Sequence, residues 1–408
     1  MKGPIKSALF DLIAVEKRLF MLLINAKIYT MDAEIIENGF IFVKGKKINK
    51  VGKMQDLDLQ DEDTIDLRGK SVYPGFIDAH THMGLFENGL GFEGEDGNEY
   101  TDPSTPHMQA IDAVNPMDKS FEEALLAGIT TVVTSPGSAN PIGGQIFAMK
   151  TSGNCVDDMV LKNPVAIKFA FGENPKMIYN DKSQAPMTRM ATAAIIREQL
   201  SKAKRYMCEK DKAEKNPAEY DLPEYDVKCE ALIPLLKKKI SAHIHAHRGD
   251  DIFTAMRIAK EFDINYVIVH ATEGHLIATR LKSEQVSVLS GPILSDRSKP
   301  ELVNLSTKMP GILASNGILL AITTDHPETP VQYLQLCAAL AVRDGLGQYE
   351  ALKAITINPA KICGIFDRVG SINAGKDADL VVFKDSPFDI MKKPLLVICN
   401  GEIKNNSI

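Results

Sequence analysis

The sequence predicts an α/β protein, a TIM-type (β/α)8 barrel with a small discontinuous β-sandwich domain built from both chain ends. Two observations carry this fold class. In the middle of the 408-residue chain, eight β-like runs alternate with helical stretches, which is typical of a parallel sheet covered by helices. Short strand-like segments lie at both chain ends. Eight strands with covering helices fit a closed barrel better than an open sheet.

The first 20 residues are predicted to be an appended amphipathic segment. Lys2 and Lys6 precede an apolar stretch, as in an export signal. However, Asp11 interrupts that stretch and no small-residue cleavage site follows it. We therefore expect an extension rather than a signal, and Met21 is an equally good start for the chain.

Residues 21–73 and 369–408 are predicted to form the two parts of the small domain. Strand-like runs lie at 22–29, 39–44, 47–52, 378–383 and 395–403. Asn38-Gly39 and Gly45-Lys46 have the residue types of hairpin turns. Because the N-terminal strands are too few for an independent domain, we expect them to pair with the C-terminal strands.

Residues 74–368 are predicted to form the barrel. Its strands are expected at 75–80, 130–134, 145–150, 165–171, 242–245, 266–270, 286–289 and 318–323. Its helices are expected at 120–127, 187–208, 224–239, 251–262, 273–284, 329–342 and 349–355. The connection 209–223 opens with a dense run of charges and is predicted to be a solvated surface loop.

Composition indicates an ordinary globular protein, with 44% hydrophobic and 25% charged residues. The net charge of −6 argues against nucleic acid or an anionic membrane surface as a partner. No apolar run reaches the roughly 20 residues that cross a bilayer. The six cysteines include no Cys-x-x-Cys pair, so we expect reduced thiols in a cytoplasmic protein.

The most informative stretch is the apolar strand that ends in His80-Thr81-His82. Alternate residues of a strand share a face, so we expect both imidazoles on one side, roughly 6–7 Å apart. Such a pair is weak support for a metal site when it stands alone. The other strand ends add further donors, which are Lys168, Glu173, His243, His245, His247, His270 and Asp325. Because barrel enzymes place their sites at these ends, the set predicts a site for one or two metals.

These motifs resemble the amidohydrolase superfamily of metal-dependent hydrolases over about residues 21–405. The resemblance rests on Pro-Gly-Phe-Ile-Asp before His80, the histidines of the fifth and sixth strands, Asp325, and the C-terminal motifs at 358–360 and 370–380. Within the superfamily, the chain looks most like the imidazolonepropionase-related and prolidase-like branch. The resemblance implies an enzyme that hydrolyses carbon–nitrogen bonds of a small-molecule substrate. It also implies a divalent metal, expected to be zinc, and assembly into a homo-oligomer.

By position in the motifs, the resemblance implies five metal ligands, which are His80, His82, His245, His270 and Asp325. The ligand from the fourth strand stays open between Lys168 and Glu173. In relatives with two metals, a carbamylated lysine at this strand bridges both ions, which would turn a costly buried ammonium into a ligand. We favour Lys168, with an outward-facing lysine as the alternative, and we retain Glu173 as the competing donor.

Four further residues are candidates for substrate contact, which are His247, His107, Gln145 and His275. His247 shares a face with His245 and lies nearer the barrel mouth, whereas His243 is expected to be buried inside the barrel. The long, acidic insertion 84–118 carries His107 and is predicted to form a lid or a wall of the substrate site.

The implied mechanism is hydrolysis by a metal-activated hydroxide, because a bound metal lowers the pKa of its water to about 7. Asp325 is expected to accept the proton of that water and to deliver it to the leaving nitrogen. Two alternatives stay open. A deaminase of an amino-heterocycle uses the same barrel, usually with one metal. A catalytically inactive relative that acts as an assembly scaffold typically loses ligands, whereas this chain retains the set.

Overall fold

The computed structural model describes residues 20–58 and 63–408. Its strands form two β-sheets. The predicted N-terminal extension, residues 1–20, falls outside the described residues except for Phe20. The strands are β1 (Phe20–Ile28), β2 (Ile36–Lys44), β3 (Lys47–Lys53), β4 (Thr64–Asp66), β5 (Ser71–Pro74), β6 (Phe76–Thr81), β7 (Ile129–Thr134), β8 (Ile142–Lys150), β9 (Val160–Ala170), β10 (Ser241–Ala246), β11 (Tyr266–His270), β12 (Ser287–Ser290), β13 (Leu320–Ile322), β14 (Leu380–Phe383), β15 (Leu396–Cys399) and β16 (Glu402–Asn406).

The helices lie mostly between the strands of the central sheet. They are α1 (Lys119–Leu126), α2 (Val156–Met159), α3 (Glu173–Asn180), α4 (Arg189–Lys215), α5 (Val227–Leu236), α6 (Gly249–Glu261), α7 (Ala278–Ser283), α8 (Met309–Ser315), α9 (Leu334–Arg343), α10 (Gln348–Ala354) and α11 (Ile357–Ile362). No helix in the described ranges is both long enough and apolar enough to cross a membrane.

The central sheet contains eight strands, β6 to β13, each paired with its neighbour in sequence. Its first and last strands meet just beyond their C-terminal ends. There the backbone N–H of Asp325 donates to the His80 carbonyl at 3.2 Å, and that of His82 donates to the His326 carbonyl at 2.8 Å. The sheet is therefore nearly closed into a barrel, and each of its strands overlaps one of the predicted barrel strands.

One strand departs from the predicted all-parallel arrangement. β8 runs antiparallel to both β7 and β9, whereas the other neighbouring pairs are parallel. The reason is the short connection 135–141, because a parallel neighbour needs a crossover of about a dozen residues or more. A regular (β/α)8 pattern was therefore the wrong expectation at this strand.

The insertion 84–118 packs against the start of this antiparallel strand. The backbone N–H of Gln145 donates to the Met108 carbonyl at 2.7 Å, and the N–H of Thr105 donates to the Ile142 carbonyl at 2.9 Å. These bonds form where the pairing of β8 with β9 has a register shift. The insertion is thus bonded to the barrel wall through its backbone.

The second sheet combines strands from both chain ends, in the order β16-β15-β14-β5-β1-β2-β3, with β4 paired to β1. One apolar cluster joins side chains of both ends, among them Leu23, Ile41, Leu380 and Ile398. The strands form one hydrogen-bonded sheet, so the predicted sandwich stays a prediction. Asn38-Gly39 was predicted as a turn but lies within β2, and the turn to β3 is at Gly45-Lys46.

The charged segment 209–215, predicted as part of a surface loop, belongs to α4, which is 27 residues long. Lysine, glutamate and alanine are strong helix formers. Ala213 is buried, and the Lys210 ammonium forms an ion pair with Glu230 of α5. The charges therefore lie on a helix that packs against its neighbour, and the irregular connection is confined to 216–226.

A buried ion-pair network joins the two sheets. The Lys150 ammonium, at the end of β8, contacts Asp377 Oδ2 at 3.0 Å and also Asp379, both just before β14. Burial lowers the pKa of Lys150, but these carboxylates more than offset that effect, so its pKa is raised overall. Asp377 additionally accepts from Arg368 and Lys47.

Replacing Lys150 with methionine is expected to lower the free energy of unfolding by about 3–5 kcal/mol, because the substitution leaves the buried Asp379 carboxylate without its cation. Urea denaturation measures this loss. Lys392→Met is a matched control, since the ion pairs of Lys392 with Asp385 and Asp389 lie at the surface. Equal unfolding midpoints for the two variants would contradict the structural role of the network.

Candidate active site

The first group of metal-type donors lies where β6 meets the end of β13. It consists of His80, His82 and Asp325, all buried. Asp325 Oδ1 is 3.2 Å from His80 Nε2 and 3.3 Å from His82 Nε2. Residues of the first and last predicted barrel strands, far apart in sequence, therefore face one point.

The second group lies at the C-terminal ends of β10 and β11 and consists of His245, His247 and His270, again buried. The ring centre of His270 is 4.5 Å from that of His245 and 4.5 Å from that of His247. His270 is also 5.5 Å from the ring of His80 in the first group. The two groups are therefore neighbours in one site.

Backbone carbonyls fix the orientation of two of these rings. His82 Nδ1 is 2.7 Å from the Ser135 carbonyl oxygen, and His270 Nδ1 is 2.6 Å from that of Gly291. A carbonyl only accepts, so Nδ1 carries the proton in both rings. In the neutral imidazole, Nε2 then presents a lone pair to the site, which is the arrangement of a metal-binding histidine.

Two donors occupy the left-handed backbone region, His270 with φ 72° and Asp325 with φ 56°. Non-glycine residues adopt this region uncommonly. Conformations of this kind cluster at functional sites, where the surrounding structure holds them in place. At Asp325, this conformation accompanies the bond of its N–H to the His80 carbonyl.

Lys168 lies between the two groups, inside the barrel. Its side chain is fully buried and its Nζ is 3.2 Å from His80 Nε2. An outward-facing lysine is thereby excluded. Burial lowers the pKa of Lys168 to about 8. Its partner in register on β10 is His243, which is buried in the barrel interior as expected.

Glu173, the competing donor, lies apart from both groups. It begins α3 beyond the end of β9, and its carboxylate faces the backbone N–H of Glu301 at 3.4 Å. It lines a neighbouring cavity together with Arg189 and Arg248. Its position at a helix start, rather than on an inward-facing strand position, keeps it away from the histidines.

The electrostatics of the site favour neutral imidazoles beside a charged carboxylate. Burial holds the pKa values of His80, His245 and His270 well below their usual range. Burial raises the pKa of Asp325, and the adjacent His270, His80 and His82 hold it well below its usual range only when they carry a proton. Neutral histidines and a carboxylate are the forms that bind metal ions.

The sequence analysis did not identify a buried carboxylate that binds the backbone next to these donors. Asp78, two residues before His80, is fully buried and accepts from the backbone N–H of His80 at 3.2 Å and of Thr324 at 3.0 Å. Its oxygens also accept from the hydroxyls of Thr323 and Thr324. Burial raises the pKa of Asp78 to about 6. The sequence did carry a signal for this role, since Asp78 is an acidic residue within the otherwise apolar start of β6.

A cavity of about 410 Å³ opens onto the donors. Its lining includes His82, His245, His247, Asp325, Asn98 and Tyr100, the last two from the insertion 84–118. The insertion therefore supplies part of the wall. Of the four predicted substrate residues, His247 lines the cavity, whereas the half-buried His107, Gln145 and His275 do not.

Comparison with known proteins identifies the family. A family model described as the Amidohydrolase family matches residues 71–404. The chain belongs to this family. An amidohydrolase from Thermotoga maritima MSB8 has a similar structure, with a TM-score of 0.89, 43% identity, and coverage of 94% of this chain and 99% of that one. A solved prolidase complexed with n-methylphosphonate-l-proline has a TM-score of 0.56 at 17% identity and shows similarity of fold alone.

Two curated proteins are related in sequence. The imidazolonepropionase of Colwellia psychrerythraea is 26% identical over 387 residues, with 85% of each chain covered. The amidohydrolase tasK of Hapsidospora irregularis is 28% identical over 390 residues, and the match covers 89% of this chain but 39% of that protein. This chain thus spans well under half the length of tasK. The amidohydrolase family and these names indicate a hydrolytic enzyme that acts on C–N bonds.

Proposed function

We propose that this amidohydrolase is a metal-dependent hydrolase of amide, peptide or cyclic amide bonds. The observation that carries the proposal is the convergence of two neighbouring buried donor groups, members of both of which line one cavity. The curated relative named imidazolonepropionase agrees with a C–N bond as the target. A small polar substrate suits the size and lining of the cavity.

The side chains fit a metal ion because their lone pairs converge without a proton between them. His82 Nε2 presents a lone pair, since its Nδ1 hydrogen faces a carbonyl, yet Asp325 Oδ1 is only 3.3 Å away. Asp325 Oδ1 has no hydrogen-bond partner. Two buried acceptors this close repel each other unless a cation lies between them. His80, His82 and Asp325 would hold such an ion, and His245 and His270 would bind a second.

A divalent ion held by these residues would supply a nucleophilic water at neutral pH and would polarise the scissile carbonyl. The Asp325 carboxylate accepts a proton from the attacking water and donates it to the leaving nitrogen. Lys168, in the carbamylated form that the family resemblance implies, provides the carboxylate ligand of the fourth strand. Asp78 keeps Asp325 in place by binding the backbone of His80 and Thr324. Zinc is the ion we propose, because imidazole and carboxylate ligands suit it.

The test is a screen of purified protein with measured metal content against dipeptides, N-acyl amino acids and cyclic amides. Release of a free amine from one of these classes supports the proposal. Release of ammonia from amino-heterocycles alone would indicate a deaminase instead. Protein that binds no metal and stays inactive after metal is added would favour a scaffold and would overturn the proposal.

Replacing Lys168 with methionine is expected to reduce the metal content per chain and to lower kcat/KM at least about tenfold. Residues that only hydrogen-bond to metal ligands already contribute that much. Glu173→Gln, the matched replacement of the competing donor, is expected to retain the wild-type metal content. Elemental analysis of both proteins measures the difference. Metal loss in Glu173→Gln, with none in Lys168→Met, would reverse the assignment of the fourth-strand ligand.

A further inference from the structure

A carboxylate that no sequence motif indicates faces the second donor group. Glu301 lies between β12 and α8, and its side chain is 1% exposed. Its Oε1 is 3.8 Å from His245 Nε2 and 3.7 Å from His247 Nε2. Its other oxygen, Oε2, accepts from the backbone N–H of Glu173 at 3.1 Å. One oxygen therefore anchors the side chain while the other faces two histidines.

The Oε1 atom has no partner in the protein. It is buried without a hydrogen bond, and 3.7–3.8 Å is too long for one to the imidazole nitrogens. Among residues 20–58 and 63–408, no lysine or arginine pairs with Glu301. The nearby Lys299 ammonium is bonded to Asn174 Oδ1 at 3.1 Å. A buried carboxylate oxygen in this state destabilises the folded protein unless a cation compensates its charge.

The backbone around Glu301 makes room for this arrangement. Gly172 has φ +86°, and a Cβ atom on it would lie 2.9 Å from Glu301 Oε2. Only glycine fits both that conformation and that approach. The carboxylate is thus held in a defined place, with its free oxygen facing the two Nε2 atoms.

We propose that His247 and Glu301 join His245 in holding the second divalent cation, beside the position bounded by His80, His82 and Asp325. Two imidazole nitrogens and one carboxylate oxygen are suitable ligands for zinc. Because the imidazoles are neutral, the ion provides the positive charge that balances the Glu301 carboxylate. This inference rests on the proposed metal-dependent function and adds His247 and Glu301 to its ligands.

The decisive measurement is anomalous scattering at the zinc edge from crystals of the wild-type protein, after the metal has been removed and zinc added back. A peak within about 2.0–2.3 Å of Glu301 Oε1 and of a histidine Nε2 supports the inference. A map with a peak only between His80, His82 and Asp325 overturns it and leaves the proposed function intact. A map with no zinc in either place, from inactive protein, overturns both.

Variants give a second, independent readout in solution. Glu301→Gln is expected to hold one ion per chain fewer than the wild type by elemental analysis. The matched control is Glu273→Gln, whose carboxylate accepts from the Gly249 N–H and from Asn304 rather than facing the histidines. That control is expected to retain the wild-type metal content. Equal metal content in a folded Glu301→Gln protein and in the wild type would overturn the inference.

Discussion

Replacing Asp325 with asparagine is expected to lower kcat by about 10²–10⁴-fold, the usual contribution of a positioned proton-transfer group. Asparagine has the shape of aspartate but cannot accept and return the proton. Since the four histidines that the resemblance implies as ligands remain, much of the metal should stay bound. Steady-state kinetics together with elemental analysis separates the two effects.

The control for this variant is Asp263→Asn, which removes a carboxylate at the surface that pairs with Lys238. Its kcat is expected to match that of the wild type. If Asp325→Asn turned over substrate at the wild-type rate with its metal in place, Asp325 would not be the proton carrier. Loss of activity with loss of all metal would show that Asp325 acts chiefly as a ligand.

Removal of metal with a chelator is the second large expected effect. It should lower kcat/KM by about 10³-fold or more, because metal assistance contributes several kcal/mol of transition-state stabilisation. Addition of zinc or another divalent ion after the chelator is removed should restore activity. The kinetic assay is performed on the same sample before the metal is removed, after it is removed and after it is added back.

Thermal unfolding provides a check that does not depend on substrate. A ligand at 100 times its Kd stabilises the native state by about 2.7 kcal/mol, so the melting temperature should fall when the metal is removed and rise when it returns. A melting temperature that does not respond to chelation, with activity unchanged, would contradict the metal-dependent function.

The sequence indicated the strand-end donors because their geometry is local and repetitive. His80 and His82 lie two residues apart at the end of β6, and the same end of another strand of the sheet, β10, carries His245. Once the order of strands is known, these positions must meet. Lys168 follows the same logic, since its inward position on β9 places it in register with His243. Glu173 could be separated from it only when the structure showed that it begins a helix.

Other features of the structure could not be predicted, because no local pattern in the sequence indicates them. The direction of β8 depends on a short connection rather than on its own residues, which are as apolar as those of a parallel strand. The charges of 209–215 suggested a loop because the packing of α4 against α5, which includes the Lys210–Glu230 ion pair, is a tertiary contact. Glu301 lies in an irregular segment, and only the fold brings it to the histidines.

The reversed direction of β8 also has a consequence for attempts to change substrate preference. On the other sides of the barrel, a loop at the mouth can be exchanged while the helix outside it continues to cover the wall. Beside β8, the insertion 84–118 contributes Asn98 and Tyr100 to the cavity and also bonds the strand through Thr105 and Met108. Grafting this insertion from a relative would therefore alter specificity and folding together, and point changes at its cavity face are the safer route for engineering.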